Sequence, residues 1–230
     1  MRSDQAVGFK YKSPHEGYEV FHLTHHKTER GESACTMMRY RSSTCTWSSM
    51  PSLRVAAGSY LECDTIVICN AALYTLWRKA NNLRILAHDD GEWKEVRLPF
   101  SDSTKKRAFL MDSGGILHMV VVEHEGLNFS DVSSNIAVWK LVNGTWDEVT
   151  RVSSTLLIDC RYRLNRVCYI ECVGKNGVIF LTSTRFFSEW LVLTYDAGKD
   201  EWSWLWRCKA SLACINRSIA VFEPSLTATV

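Results

Sequence analysis

Four tryptophans, Trp47, Trp93, Trp146 and Trp202, recur along this 230-residue chain at separations of 46, 53 and 56 residues, and their surroundings recur with them. A period of about 40–50 residues is the mark of a chain built from repeated supersecondary units. Seven residues before each tryptophan stands a bulky apolar residue: Tyr40, Leu86, Trp139 and Tyr195. Between the two lies a polar, turn-forming stretch, such as His88-Asp89-Asp90-Gly91 or Asp196-Ala197-Gly198-Lys199-Asp200. Each unit therefore reads strand, tight turn, strand. Asn143-Gly144 and Asp90-Gly91 supply the positive φ angles that two-residue hairpin turns demand. Pro51 and Pro99 follow two of the tryptophans and end the strands there, since proline cannot donate to a sheet ladder.

A second hairpin-like element lies between successive tryptophan units. The clearest cases are 108–111 and 116–122 about Asp112-Ser113-Gly114-Gly115, and 167–173 and 178–181 about Gly174-Lys175-Asn176-Gly177. Leu61-Glu62-Cys63-Asp64 before 65–69 is a weaker third copy. Segment 71–83 comes nearest to helical periodicity, yet Leu73-Tyr74-Thr75-Leu76-Trp77 reads equally well as a strand. Four short strands per repeat predict an all-β, kelch-like β-propeller or partial propeller with about four blades of four antiparallel strands. In a blade both faces are buried against neighbours, and an indole fills the wedge between them. A β-sandwich supplies no reason for the constant seven-residue offset. The expected organisation is one propeller region over 1–230, with units at 7–50, 51–98, 99–150 and 151–206 and a C-terminal strand at 207–226.

Composition narrows the function classes. With 27 Lys+Arg against 25 Asp+Glu the net charge is +2, too small an excess for binding driven by nucleic-acid phosphates. Hydrophobic residues at 46% and charged residues at 23% are proportions with which a chain can bury a core. Apolar runs such as Met119-Val120-Val121-Val122 fall far short of a membrane span, and 1–30 holds no secretory signal pattern. The expectation is a cytoplasmic or nuclear protein without membrane or nucleic-acid partners. The nine cysteines are odd in number and scattered, so most are expected to be reduced and buried. Asn-x-Ser/Thr triplets at Asn128, Asn143 and Asn216 are read as coincidence.

The chemistry-bearing residues point away from catalysis. His22, His25 and His26 crowd one segment without a further metal ligand at suitable spacing, so a solvated strand end or loop is expected. Cys168 and Cys172 fall four apart on one strand, about 13 Å, too far for a disulfide. Trp202, Trp204 and Trp206 alternate, so in a strand all three indoles project from one face, as blade filling or as a stacking platform for a sugar or base. No nucleophile elbow, phosphate loop or zinc-protease helix is found. No catalytic, cofactor-binding or metal residue is therefore expected. Partner recognition is expected in the connections at 100–107, 150–165 and 183–190, with Lys105, Lys106, Arg107, Arg185, Phe186 and Phe187 as candidates, because loops on a rigid scaffold carry recognition.

Val7-Gly8-Phe9-Lys10-Tyr11 followed by His15-Glu16-Gly17-Tyr18-Glu19-Val20 resembles the signature that begins a repeat in plant F-box-associated domains. Trp202-Ser203-Trp204-Leu205 and Ala220-Val221-Phe222-Glu223-Pro224-Ser225-Leu226 are similar to the ending of plant F-box/kelch-repeat proteins. The resemblance implies a propeller that captures a target protein for ubiquitination, joined to an F-box that docks a Skp-type adaptor and a cullin. Here the repeat signature starts almost at once, so no F-box is expected within the chain, and adaptor and cullin would be partners only with an F-box upstream. A stand-alone kelch scaffold or decoy, and a carbohydrate-binding or carbohydrate-active propeller, are the alternatives. Four blades in an open arc would expose flat blade faces, so the chain must either close on itself or find a partner.

Overall fold

The computed structural model describes residues 5–13, 15–27, 33–62, 66–80, 82–101, 106–124, 133–153, 155–156, 167–175, 177–185 and 189–209. They form four successive antiparallel sheets. Sheet 1 comprises β1 (Gln5–Ser13), β2 (Gly17–Lys27), β3 (Ser33–Arg41) and β4 (Thr46–Ser49) in that order, with β5 (Leu53–Val55) also on β3. In sheet 2, β6 (Ser59–Leu61) and β7 (Val67–Cys69) both pair with β8 (Ala72–Lys79), followed by β9 (Asn82–Asp89) and β10 (Glu92–Val96). Sheet 3 is β11 (Lys106–Ser113), β12 (Ile116–His124), β13 (Ser133–Val142) and β14 (Thr145–Arg151). Sheet 4 is β15 (Val167–Lys175), β16 (Val178–Arg185), β17 (Glu189–Asp196) and β18 (Glu201–Lys209). The fold is all-β, in four blades of the β-propeller type. The chain divides into two compact units, Met1–Val121 with Val138–Val149, and Val122–Ala137 with Thr150–Val230.

The turns follow local chemistry. Asp90 and Gly91 take φ of 49° and 82°, and Asn143 and Gly144 take 51° and 79°, as two-residue hairpins require. Gly114 and Gly115 join β11 to β12 with φ of 66° and 78°. The weak hairpin expected about 61–64 is corrected. Leu61 and Cys69 belong to two separate strands that both pair with β8, and the reversal sits at Asn70 and Ala71, with φ of 48° and 67°. Asparagine tolerates the left-handed region, but Ala71 gives no such signal in sequence. Segment 71–83 is two strands reversing at Ala80, φ 50°, and not a helix.

In the first unit the cores lie between sheets. Ala6, Phe21, Leu23, Cys35, Met37 and Leu53 of sheet 1 pack with Leu61, Leu73 and Trp77 of sheet 2. On the other side of sheet 2, Leu76, Leu83 and Ile85 pack with Leu110, Leu117 and Met119 of sheet 3. Alternation along β8 and β9 divides these residues between the two faces. Gly8 permits the close approach of the first two sheets, since a Cβ there would lie 2.8 Å from the Ile66 Cβ, and the Ile66 N–H donates to the Val7 carbonyl at 3.0 Å. In the second unit Ile179, Leu181, Leu193 and Tyr195 are buried.

Among the described residues, the enclosed Arg78 and Glu19 are both paired. Arg78 is almost fully enclosed and donates from Nε to Glu62 Oε2 at 2.6 Å and from Nη2 to Glu62 Oε1 and to the Lys106 carbonyl. Glu19, equally enclosed, is held by Lys12, Arg39 and Arg41. Burial there opposes ionisation, but the hydrogen bond from Arg39 and the neighbouring cations outweigh it and keep the carboxyl below its usual range.

Candidate functional site

The constant seven-residue spacing conceals two hairpin geometries. In sheet 1 a four-residue turn joins the pair Arg41 and Thr46, so Tyr40 faces Trp47 directly. In sheet 4 a turn of the same length puts Tyr195 opposite Trp202, with ring centroids 5.1 Å apart. In sheet 2 the turn has only two residues, so Trp93 faces His88, and Leu86 faces Glu95. Turn length sets register, and register sets which side chains meet. In sheet 3, Trp139 and Trp146 both pack partly buried against the core shared with sheet 2.

The tryptophans have a common use that their spacing alone does not reveal. The Trp93 indole N–H donates to the Pro51 carbonyl at 3.2 Å. That of Trp146 donates to the Arg97 carbonyl at 3.0 Å, and that of Trp202 to the Thr150 hydroxyl at 3.3 Å. Each acceptor lies four residues beyond the preceding tryptophan of the series. The repeated indole is thus a staple from one sheet to the outer strand of the sheet before it or to the residue just past that strand's end, half-burying its ring and satisfying its one donor. The face carrying the tryptophan is the front face of a sheet, and the opposite one its back face.

Sheet 1 has the same front face, and there it is open. Register places Phe9, Val20, Tyr40 and Trp47 in one cross-strand row, with Tyr11 and Tyr18 paired alongside. Phe9 is 61% exposed, Tyr11 60%, Trp47 52%, Val7 48% and Tyr18 39%. The rings form a continuous ladder over four strands: Phe9 to Tyr18 at 5.4 Å between centroids, Tyr18 to Tyr40 at 6.1 Å, and Tyr40 to Trp47 at 5.3 Å. The Cys45 thiol beside it, together with slight burial, raises the Tyr40 phenol above its usual range. Phe9, Tyr11 and Tyr18 are residues that sequence reasoning did not single out for a site. The alternation of aromatic residues along β1 was the available signal. A cleft of about 520 Å³ opens at the other side of this sheet's end, lined by Pro51, Ser52, Leu53, Arg54, Leu86, Gly91, Glu92 and Trp93.

The remaining sequence candidates scatter. Lys106 lies over the Phe100 ring at 4.7 Å and Arg107 over Phe109 at 5.7 Å, so both stems cover apolar surface at the start of a strand. Arg185 ends β16. Lys105, Phe186 and Phe187, and most of the expected strand at 207–226, lie outside the described residues. The histidine segment is not a solvated end: β2 continues to Lys27, and His25 is buried edge-on against Trp77 at 5.6 Å. Among the described residues no three His, Cys, Asp or Glu side chains converge, and no helix is long and apolar enough to cross a membrane. Of the three tryptophans expected on one face, Trp202 and Trp204 keep that alignment, opposite Tyr195 and Leu193, and a register shift between Val192 and Leu193 takes position 206 out of it. Cys168 likewise sits at a shift between Val167 and Tyr169. Cys35 and Cys69 are buried and Cys45 is exposed, and burial alone pushes the Cys35 thiol up to about 12.

His88 and His118 are both buried, and burial lowers the pKa of each from the ordinary 6.5 against smaller opposing contributions. The folded state therefore takes up these protons at lower pH than the unfolded chain. Their contribution to stability is full above about pH 6.5 and is lost as the pH falls through the folded values. Urea unfolding midpoints should fall between about pH 7.5 and pH 5, and His88→Gln/His118→Gln should flatten that fall. An equally steep fall in the double variant would assign it to other groups.

No protein-family model matches the chain, and no curated protein sequence matches it. Solved structures do. The fucose-specific lectin from Aleuria aurantia is 13% identical, with a TM-score of 0.57 over 88% of this chain and 61% of that one. A variant of the Synechocystis apocarotenoid oxygenase is 9% identical, with a TM-score of 0.52 over 87% of this chain and 49% of that one. The chain thus spans less than two thirds of the length of either. At such identity the likeness is one of fold, and it agrees with the blade architecture read from the strands: the chain is similar to β-propellers.

Proposed function

We propose that the chain is a non-catalytic protein-interaction module whose recognition surface is the aromatic front face of sheet 1. The finer reading is that it resembles the substrate-recognition part of an SCF-type F-box/kelch ubiquitin ligase, acting in the cytoplasm or nucleus. The observation that supports the module is the ladder Phe9, Tyr18, Tyr40 and Trp47, exposed on a sheet whose back face is locked into a core. Large aromatic side chains on a rigid support lose little conformational entropy on binding and dominate the energetics of protein interfaces. A contiguous exposed apolar patch of this kind marks an interaction surface. Ligase coupling rests on the sequence resemblance and requires adaptor and cullin to be recruited by an F-box.

The test compares capture of proteins from cell extract by the wild-type chain and by Trp47→Ala. Loss of a hot-spot aromatic costs about 2 kcal/mol or more, so target affinity should fall about thirtyfold. Unchanged capture by Trp47→Ala and by Phe9→Ala would sink the reading. A second reading has its own support in the same rings, because aromatic faces also stack on sugars. Binding on a glycan array that Trp47→Ala abolishes, with no protein captured, would replace the first reading by the second.

A further inference from the structure

We propose that the charged end of the sheet 1 back face is an oxyanion site that takes a phosphomonoester, with Lys12, Arg39 and Arg41 as its donors. The proposal goes beyond the reading of the aromatic front face and is independent of it. Along the back face, Phe21, Leu23, Cys35 and Met37 enter the core shared with sheet 2. The next positions on that face change character. Glu19 stands between Lys10 and Arg41 in the register, and Arg39 stands opposite Phe21. Arg39 spans the boundary, its guanidinium 5.7 Å from the centroid of the Phe21 ring. Beyond it three cations meet a single carboxylate oxygen. Arg39 donates to Glu19 Oε1 from Nε at 3.0 Å and again from Nη2. Lys12 Nζ lies 3.4 Å and Arg41 Nε 3.5 Å from the same oxygen.

One cation is enough to neutralise one carboxylate, as the bidentate pair of Arg78 with Glu62 shows in the same unit. At Glu19 three cations against one carboxylate leave a formal +2 in direct contact, and Lys10, opposite Glu19, raises the positive potential further. Glu16 in the adjoining turn is engaged by the Ser13 hydroxyl at 3.5 Å. Like charges held this close repel one another, and an anion brought to them relieves the repulsion. Donors remain for it. Arg41 offers Glu19 only its Nε, and among the described residues no acceptor engages its terminal nitrogens. The side chains of Lys12, Arg39 and Arg41 are 33%, 26% and 47% exposed, whereas that of Glu19 is 5% exposed. The carboxylate thus lies beneath cations that solvent reaches, and it fixes their positions. A phosphomonoester carries up to two negative charges and three acceptor oxygens, so it matches both the excess charge and the number of donor side chains. Guanidinium forks suit its oxygens. A carboxylate, with one charge and two oxygens, matches neither.

The experiment is fluorescence anisotropy of the full chain with three labelled peptides that differ at one central residue: phosphoserine, glutamate or serine. Ionic strength is held constant, since exposed charges are screened by salt. The phosphoserine peptide is expected to bind saturably, at least about tenfold more tightly than the glutamate peptide, and to be displaced by inorganic phosphate. Displacement near the peptide's own affinity assigns the group to a small phosphate ester, and much weaker displacement assigns it to a phosphorylated protein. Lys12→Gln/Arg41→Gln should weaken binding at least about tenfold with an unchanged unfolding transition, and Arg41→Gln alone, which leaves Glu19 two cations, should weaken it less. Lys94→Gln/Lys199→Gln removes the same charge at exposed positions outside sheet 1 and should leave binding unchanged, as should Trp47→Ala on the opposite face. A wild type that binds neither the phosphoserine peptide nor phosphate, a glutamate peptide that binds as tightly, or an equal loss in the Lys94 and Lys199 variant overturns the proposal. The front-face reading fails separately, on capture that survives Trp47→Ala and Phe9→Ala.

Discussion

Trp77→Ala is expected to lower the stability of the first unit by about 3–5 kcal/mol, the range for deleting a buried indole. Trp77 is 1% exposed and lies in the core shared by the first two sheets with Phe21, Leu23, Met37 and Leu73. Its ring takes the edge-on contact of His25 at 5.6 Å, and its N–H donates to the Thr75 hydroxyl at 2.9 Å. Alanine would leave a cavity bounded by two sheets whose backbones are already fixed by pairing, so little collapse is available. It would also strip the buried Thr75 hydroxyl of a donor. Trp77→Phe fills most of the space and should cost distinctly less. Urea unfolding followed by far-ultraviolet circular dichroism measures both. A loss below about 1 kcal/mol for alanine would mean that the sheets close over the gap.

Glu62→Ala is the second large effect, expected to destabilise by about 3–5 kcal/mol because it removes the carboxylate from an enclosed guanidinium. The pair is bidentate, with contacts of 2.6 and 2.9 Å, and Arg78 is also tied to the Lys106 carbonyl at 2.7 Å. That carbonyl cannot offset a full positive charge kept from water. The double variant Glu62→Ala/Arg78→Met removes both charges and should recover most of the loss, since a buried pair and a well-packed apolar replacement are often close in stability. The double-mutant cycle reads the coupling directly. Additive losses would show that water reaches Arg78 once Glu62 is gone.

Much of the fold was legible in the chain. Asp90-Gly91 and Asn143-Gly144 adopt the turns their chemistry demands, Pro51 and Pro99 follow strand ends, and the β-branched and aromatic runs became strands. The reversal at Asn70 and Ala71 was missed because alanine carries no signal for a left-handed residue. His25 was read as solvated because its neighbours His22 and His26 are polar; alternation in β2 turns it inward alone. The Arg78–Glu62 pair joins residues sixteen positions apart, which no local pattern connects.

The candidate site was less legible. The tryptophan series was read correctly as a repeat, but not how each indole is used, since that depends on the sheet before it. Phe9, Tyr11 and Tyr18 entered the sequence reading only within the segments that carry the family resemblance, and nothing in the sequence marks a strand aromatic as exposed. By itself the sequence determined the strand content, the glycine-bearing turns at 90–91, 114–115 and 143–144 and the number of blades, because these depend on period-two alternation and on residues with unusual φ. Only the tertiary structure decided which residues face one another across each hairpin, since a turn of two or four residues shifts every partner by the same amount. It alone decided that one aromatic face stays open, because exposure is a property of what lies against a surface and not of the residues that compose it.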